Sequence, residues 1–150
     1  TQECLTEMVA LLLDKGATAE PLDSGGLSAL QLASELDHPE IARLLLSSGA
    51  EANRFGSGEM TALHLAVAAD HLSIAKLLLE NGADVNMPER NFGETPLILA
   101  ARLSFADLVR LLLSNGANPQ VGDHHGLTAL HWARSNDCQE IAAMLEDGVE

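Results

Sequence analysis

The chain has 150 residues, enough for one domain of ordinary size, and its 47% hydrophobic content can bury a core. Eight Lys and Arg against 22 Asp and Glu leave a formal charge of −14, which repels a phosphate backbone or an anionic membrane surface. Aromatics are only 3%, too few for a base-stacking platform, and two Cys form neither a disulfide framework nor a Cys-x-x-Cys zinc pair. The expectation is an acidic, monomeric, intracellular chain (cytoplasmic or nuclear) with no membrane insertion, no nucleic acid partner, no cofactor and no metal.

Self-similarity dominates the chain. Gly-Ala recurs at 16–17, 49–50, 82–83 and 116–117, at spacings of 33, 33 and 34, each preceded by a leucine run at 11–13, 44–46, 77–79 and 111–113. A second motif keeps step: Ser28-Ala-Leu-Gln-Leu-Ala33, Thr61-Ala-Leu-His-Leu-Ala66, Thr95-Pro-Leu-Ile-Leu-Ala100 and Thr128-Ala-Leu-His-Trp-Ala133.

In chain order, residues 1–15 predict one helix, matching the second half of a repeat whose first half is missing. Units 16–48, 49–81 and 82–115 each predict a turn, a short first helix and a second helix; 116–150 does the same as a C-terminal cap. Ser28, Thr61, Thr95 and Thr128 are expected to cap the first helices through their hydroxyls, and Pro96 suits a first helical position. Pro39, Asp70 and Asp137 fall where those helices should stop. The second helices carry an i, i+3, i+4 stripe, such as Ile74, Leu77 and Leu78, and end at Gly49, Gly82 and Gly116. The last unit reads Ala143-Met144-Leu145 where the others have three leucines, as suits an end unit with a more polar outer face. The turns depart from the pattern twice. One residue is inserted within 87–92, and Glu59 replaces the glycine two before the Thr.

These motifs resemble the ankyrin-repeat family, whose Thr-Pro-Leu-His-x-Ala signature and 33-residue period they follow over essentially the whole chain. The resemblance implies an all-α solenoid of stacked helix–turn–helix units with short hairpin turns. It also implies a protein-binding concave surface built from turn tips and first helices. In register, that surface takes Leu22, Leu27, Glu35 and Leu36 from the first full unit, and Phe55 and Met60 from the second. The third gives Phe92, Glu94, Arg102 and Leu103, and the fourth His124, His125 and Leu127. The stripe is apolar, with at least four of its residues expected to be exposed, and Asp23, Glu35, Asp37, Glu59, Asp70, Glu89, Glu94, Asp123 and Asp137 make its surroundings acidic. A partner segment with apolar anchors and Lys or Arg flanks would suit it. The unmatched N-terminal half-unit adds a second reading: a regulatory or substrate-recruiting domain of a larger multidomain protein or enzyme.

Little here suggests catalysis. A solenoid has no deep pocket where groups converge, and no nucleophile has a base at helical or turn spacing. His64 and His131 occupy the signature's His position, where the resemblance implies hydrogen bonds between neighbouring units; Gln31 and Ile98 stand there in the other units, so those junctions are expected to be held otherwise. Asp123-His124-His125 is the one ligand-like cluster, without evident further ligands. The family also serves as substrate of an iron- and 2-oxoglutarate-dependent asparaginyl hydroxylase. Asn86 after Asp84-Val85, and less closely Asn53 after Glu51-Ala52, resemble its target. Thr95–Leu103 and Ala129–Ala133 are similar to runs in ankyrin domains of transcriptional regulators such as Notch receptors, from which no partner is carried over.

Overall fold

A seven-residue first helix and a nine-residue second helix form each full unit, too short a pair to bury both apolar faces alone. A computed structural model describes residues 2–17, 26–56 and 58–147. Within these lie α1 (Gln2–Asp14), α2 (Ala29–Glu35), α3 (Pro39–Ser47), α4 (Ala62–Ala68), α5 (Leu72–Glu80), α6 (Pro96–Arg102), α7 (Ala106–Ser114), α8 (Ala129–Ser135) and α9 (Gln139–Asp147). The first helices α2, α4, α6 and α8 stack in one row and α1, α3, α5, α7 and α9 in a second. The chain is therefore an all-helical solenoid. Among the described residues the inter-unit turns form no strand, and an isolated antiparallel bridge joins Gly122 and Thr128.

The core lies between the rows. Leu30, Leu63 and Leu97 from first helices meet Ile41, Ile74, Leu78, Leu108 and Leu112 from second helices, all buried. Leu130, the matching residue of the last unit, is only half-buried because no unit packs beyond it among the described residues. At the other end Val9 and Leu13 of α1 pack on the core, while Leu5, Met8, Leu11 and Leu12 are exposed.

Turn chemistry explains the boundaries. Pro39 does not end a first helix as its position suggested: it opens α3, where its missing N–H is no loss. The reversal falls on Asp37, Asp70, Ser104 and Asp137, all left-handed with φ between 55° and 64°. Each time the following N–H donates back five residues, as His71 N does to Ala66 O at 2.9 Å. The hydroxyls cap unequally. Ser28 and Thr95 accept from Gln31 N and Ile98 N (3.3 Å each), whereas the Thr61 hydroxyl meets His64 Nδ1 at 2.8 Å and Thr128 makes no side-chain cap.

Neighbouring first helices are tied by one recurring bond. The buried His64 ring pairs Nε2 with the Glu94 carbonyl at 3.2 Å, while Thr61 N donates to Nδ1 at 3.3 Å. Gln31 performs the same task, against expectation: its Nε2 donates to Met60 O (3.0 Å) and Arg54 O (3.1 Å), and its Oε1 accepts from Ser28 N (2.7 Å). An amide offers the donor and acceptor of a neutral imidazole on a longer stem. Ile98 offers neither, and His131, in the last unit, is exposed.

Because Nδ1 accepts and Nε2 donates, His64 must be neutral. Burial lowers its pKa from 6.5 to about 4, against the raising effects of the Glu94 carbonyl, the Glu89 charge and the Met87 backbone. The folded value lies below the unfolded one, so this contribution is complete above about pH 6.5 and is lost as pH falls toward 4. Roughly 2–3 kcal/mol of stability should disappear between pH 7 and 4.5 in denaturant titrations. His64→Gln, which copies the Gln31 arrangement, should fold and lose much less over that interval. An unchanged pH dependence in this variant would place the acid-sensitive group elsewhere.

Candidate partner-binding surface

Three turn tips are closed from below by the carbonyl just before the first-helix cap. Gly56 N donates to Met60 O (3.0 Å), Glu89 N to Glu94 O (2.9 Å) and Asp123 N to Leu127 O (3.0 Å), so these three residues are equivalent. At two of them a buried carboxylate holds the loop. Asp123 Oδ1 accepts from His125 N (2.8 Å) and Leu127 N (3.0 Å). Glu89 accepts from Phe92 N (2.6 Å), Asn91 N (2.7 Å) and Glu94 N (3.1 Å). The third tip carries the inserted residue, and Glu89 has one methylene more than Asp123, which lets its carboxylate span the longer loop. Burial alone would raise both carboxyl pKa values. The backbone N–H groups outweigh it and hold both below the ordinary range, helped by His64 at Glu89 and by Trp132 and His125 at Asp123.

The second tip has no such carboxylate. A Cβ on Gly56 would lie 2.8 Å from the Gln31 amide and from Leu27 Cδ2. That tip is held from the next one instead. Arg90 N donates to Glu59 O (3.1 Å), Arg90 Nη1 to Glu59 Oε2 (3.3 Å) and Asn91 Nδ2 to Gly58 O (3.1 Å). The Arg90 guanidinium also lies 3.9 Å above the Phe55 ring. The two departures noted in the sequence thus touch each other. Glu59 takes φ 57°, the conformation that Gly93 and Gly126 take at the equivalent position. Farther along, His124 N donates to Phe92 O (2.8 Å), and a Cβ on Gly93 would lie 2.4 Å from the His124 ring.

The expected apolar stripe is narrower than anticipated. Leu22 lies outside the described residues. Among the rest Leu36 and Phe92 are exposed, at 60% and 61%, whereas Leu27, Phe55, Met60, Leu103 and Leu127 are half-buried. Leu103 packs against the core and Phe55 lies under Arg90. Glu35, His124 and His125 are exposed as groove positions should be. Glu94 is buried and forks onto Arg102, with Nε at 2.7 Å and Nη2 at 3.0 Å, and the Arg102 carbonyl accepts from Asn136 Nδ2 at 2.7 Å. Glu94 and Glu59 therefore belong to internal pairs, and Asp123 and Glu89 are turn anchors. Asp23 lies outside the described residues; among the described ones the exposed acids beside the stripe are Glu35, Asp37, Asp70 and Asp137.

Both asparagines bridge units. Asn53 Nδ2 donates to Gly82 O (3.1 Å) and its Oδ1 accepts from Asp84 N (2.7 Å); Asn86 repeats this with Gly116 O (3.2 Å) and Asn118 N (2.7 Å). Among the described residues no three His, Cys, Asp or Glu side chains converge as metal ligands, and no helix is long and apolar enough to cross a membrane.

Sequence reasoning missed Trp132 as a surface residue. With Phe92, Glu94, Arg102, Asp123 and His125 it lines a cleft of about 320 Å³. The available signal was positional: Trp132 stands where Leu32, Leu65 and Leu99 stand in the other units, and a larger ring there reaches farther.

The family profile for ankyrin repeats in three copies matches residues 2–89 and again 63–150. The chain belongs to the ankyrin-repeat family, whose members are generally non-catalytic protein-interaction modules. It is similar to human neurogenic locus notch homolog protein 4, 49% identical over 53 residues, 35% of this chain and 3% of that protein. Human notch homolog protein 2 is 42% identical over 59 residues, 39% of this chain and 2% of its own length. An ankyrin repeat protein of Acanthamoeba polyphaga mimivirus is 48% identical over 46 residues, 30% of this chain and 11% of its own. The match thus covers only a small part of each relative.

If the Glu89 carboxylate organises the third tip, Glu89→Gln should cost about 1–3 kcal/mol, because an amide accepts fewer of the three N–H bonds without charge assistance. Glu89→Asp, one methylene short, should cost a comparable amount. Denaturant midpoints at pH 7 would test both, and an aspartate variant as stable as the parent would refute the matched-length argument.

Proposed function

We propose that this chain is a protein-recognition module whose concave surface binds a partner segment with apolar anchors and basic flanks. The observation that carries this reading is the pairing state of the surface. Leu36 and Phe92 stand exposed beside exposed Glu35, Asp37, Asp70 and Asp137, whereas the nearby cations Arg90 and Arg102 already hold carboxylates of the chain itself. An incoming cation therefore meets acids, and an incoming apolar side chain meets two uncovered ones. The proposed contact residues remain Leu22, Leu27, Glu35, Leu36, Phe55, Met60, Phe92, Glu94, Arg102, Leu103, His124, His125 and Leu127, with Leu36 and Phe92 as principal anchors.

In this reading the chain is a monomer inside the cell, with no catalytic step, no nucleic acid partner and no cofactor of its own. Residues 1–15 form a half-unit, 16–48, 49–81 and 82–115 full units, and 116–150 the terminal one. The small share of each relative that the chain matches favours a second reading alongside it: a regulatory or substrate-recruiting domain within a longer protein or enzyme.

Selection of a random peptide library at low and at physiological salt tests the groove. Enriched segments should combine apolar residues with Lys or Arg and bind more weakly as salt rises. Leu36→Ala with Phe92→Ala should weaken them roughly 10–100-fold without unfolding the chain, since both side chains are exposed. Undiminished binding by the folded double variant would overturn the groove assignment.

We further propose Asn86, and secondarily Asn53, as acceptors for asparaginyl hydroxylation at Cβ, which leaves the bridging amide intact. Incubating the chain with such a hydroxylase, iron, 2-oxoglutarate and oxygen should add one oxygen atom to the peptide carrying Asn86, read by mass spectrometry. Absence of that increment on a chain shown to be folded and mixed with active enzyme would sink this assignment.

A further inference from the structure

We propose that the cleft between the third and fourth full units is an anchor site for an arginine side chain of the bound segment. Its stem would lie on Phe92 and Trp132 and its guanidinium would meet Glu94 and Asp123. This inference rests on the groove reading and changes one element of it: a cation becomes an anchor and not only a flank.

Three observations carry it. The lining is chemically matched to a guanidinium on an apolar stem, because Phe92 and Trp132 supply aromatic surface and the cleft holds two carboxylates, Glu94 and Asp123, of which only Glu94 is paired with the guanidinium of Arg102; His125 completes the lining. Acceptor capacity also remains. A carboxylate offers about four lone-pair positions. Arg102 takes one N–H bond to each Glu94 oxygen; at Asp123 two backbone bonds fall on Oδ1 and the Trp132 side chain is a further partner, which leaves at least one acceptor position on each carboxylate. Finally, the chain already performs this recognition on itself one tip earlier. Arg90 lies 3.9 Å over Phe55 and reaches Glu59 at 3.3 Å. Phe92 has no such cover: it is 61% exposed. With a net charge of −14, the chain draws a cation toward this cleft and repels a carboxylate.

Trp132 is the one tryptophan of the sequence, so its fluorescence reports on the cleft directly. The complete chain would be titrated with N-acetyl-arginine amide, its lysine counterpart and its citrulline counterpart, the last being a near-isostere without charge. The arginine probe should give a saturable change at least tenfold tighter than citrulline, weaker at high salt than at low salt, and several-fold weaker on Phe92→Ala. No saturable change, equal response to citrulline, or lysine binding as tightly as arginine would each overturn the assignment. Library-selected segments separate this failure from that of the groove. If they bind unchanged with every arginine replaced by citrulline, the groove stands and the arginine anchor falls. If no segment is selected, the groove reading falls and the amide probes still decide the cleft.

Discussion

At two junctions a single backbone carbonyl carries both the stacking of the helices and the position of the tip. Met60 O accepts from Gly56 N, which closes its own turn, and from Gln31 Nε2 of the preceding first helix. Glu94 O likewise accepts from Glu89 N and from His64 Nε2. Both lone pairs are used, so the turn cannot shift without stretching the bond to its neighbour. The residue bearing that carbonyl immediately precedes the first-helix cap, Thr61 or Thr95. Helix start, turn closure and inter-unit register are thus settled together, and at the second junction burial keeps the His64 ring neutral, so that Nδ1 accepts from Thr61 N while Nε2 donates.

The third junction lacks this bond, since Ile98 can donate nothing, and other contacts cross it. His124 N reaches Phe92 O, Asn136 Nδ2 reaches Arg102 O, and Cys138 Sγ donates to Ser104 Oγ at 2.9 Å. The cleft lined by Phe92 and Trp132 lies at this junction. Much of the acidic charge here is structural: Glu89 and Asp123 hold turns from within, while Glu94 and Glu59 each hold an arginine. Outside the cleft, the carboxylates left for a partner are the exposed Glu35, Asp37, Asp70 and Asp137, at and just beyond the first-helix ends. Counting acids in the sequence overstates the field a ligand would feel and misplaces its centre.

The architecture was legible because it depends on period. Two motifs repeating in phase dictate helix pairs, and glycine after each leucine run marks a left-handed cap wherever the sequence is read. Side-chain exposure depends on particular partners and was less visible. Leu103 reads as an open groove residue, yet it is half-buried against the core, and Glu94 reads as an unpaired rim acid, yet Arg102, eight residues on, forks onto it. Gln31 suggests a junction held by other means than the signature's ring, although an amide has the same donor–acceptor pair. Pro39 was ambiguous in principle: a proline both follows a helix that has ended and opens the next one. Trp132 sat inside the family signature, where a residue is easily read as motif and not as surface.

The departures at the second and third tips form one linked set. Gln31 reaches farther into the turn than an imidazole does, and the space for a carboxylate-bearing residue at position 56 is filled by its amide and by Leu27. The second tip therefore lacks an internal anchor. Its left-handed position is occupied by Glu59, a strained choice that glycine avoids. The compensation comes from outside: the longer third loop places Arg90 and Asn91 against Glu59, Gly58 and Phe55. Glu89, one methylene longer than an aspartate, ties the backbone of that loop from within. The same extra residue leaves Phe92 projecting toward the fourth unit. The feature that best explains how the second tip is held is therefore also the one that builds a wall of the candidate anchor cleft.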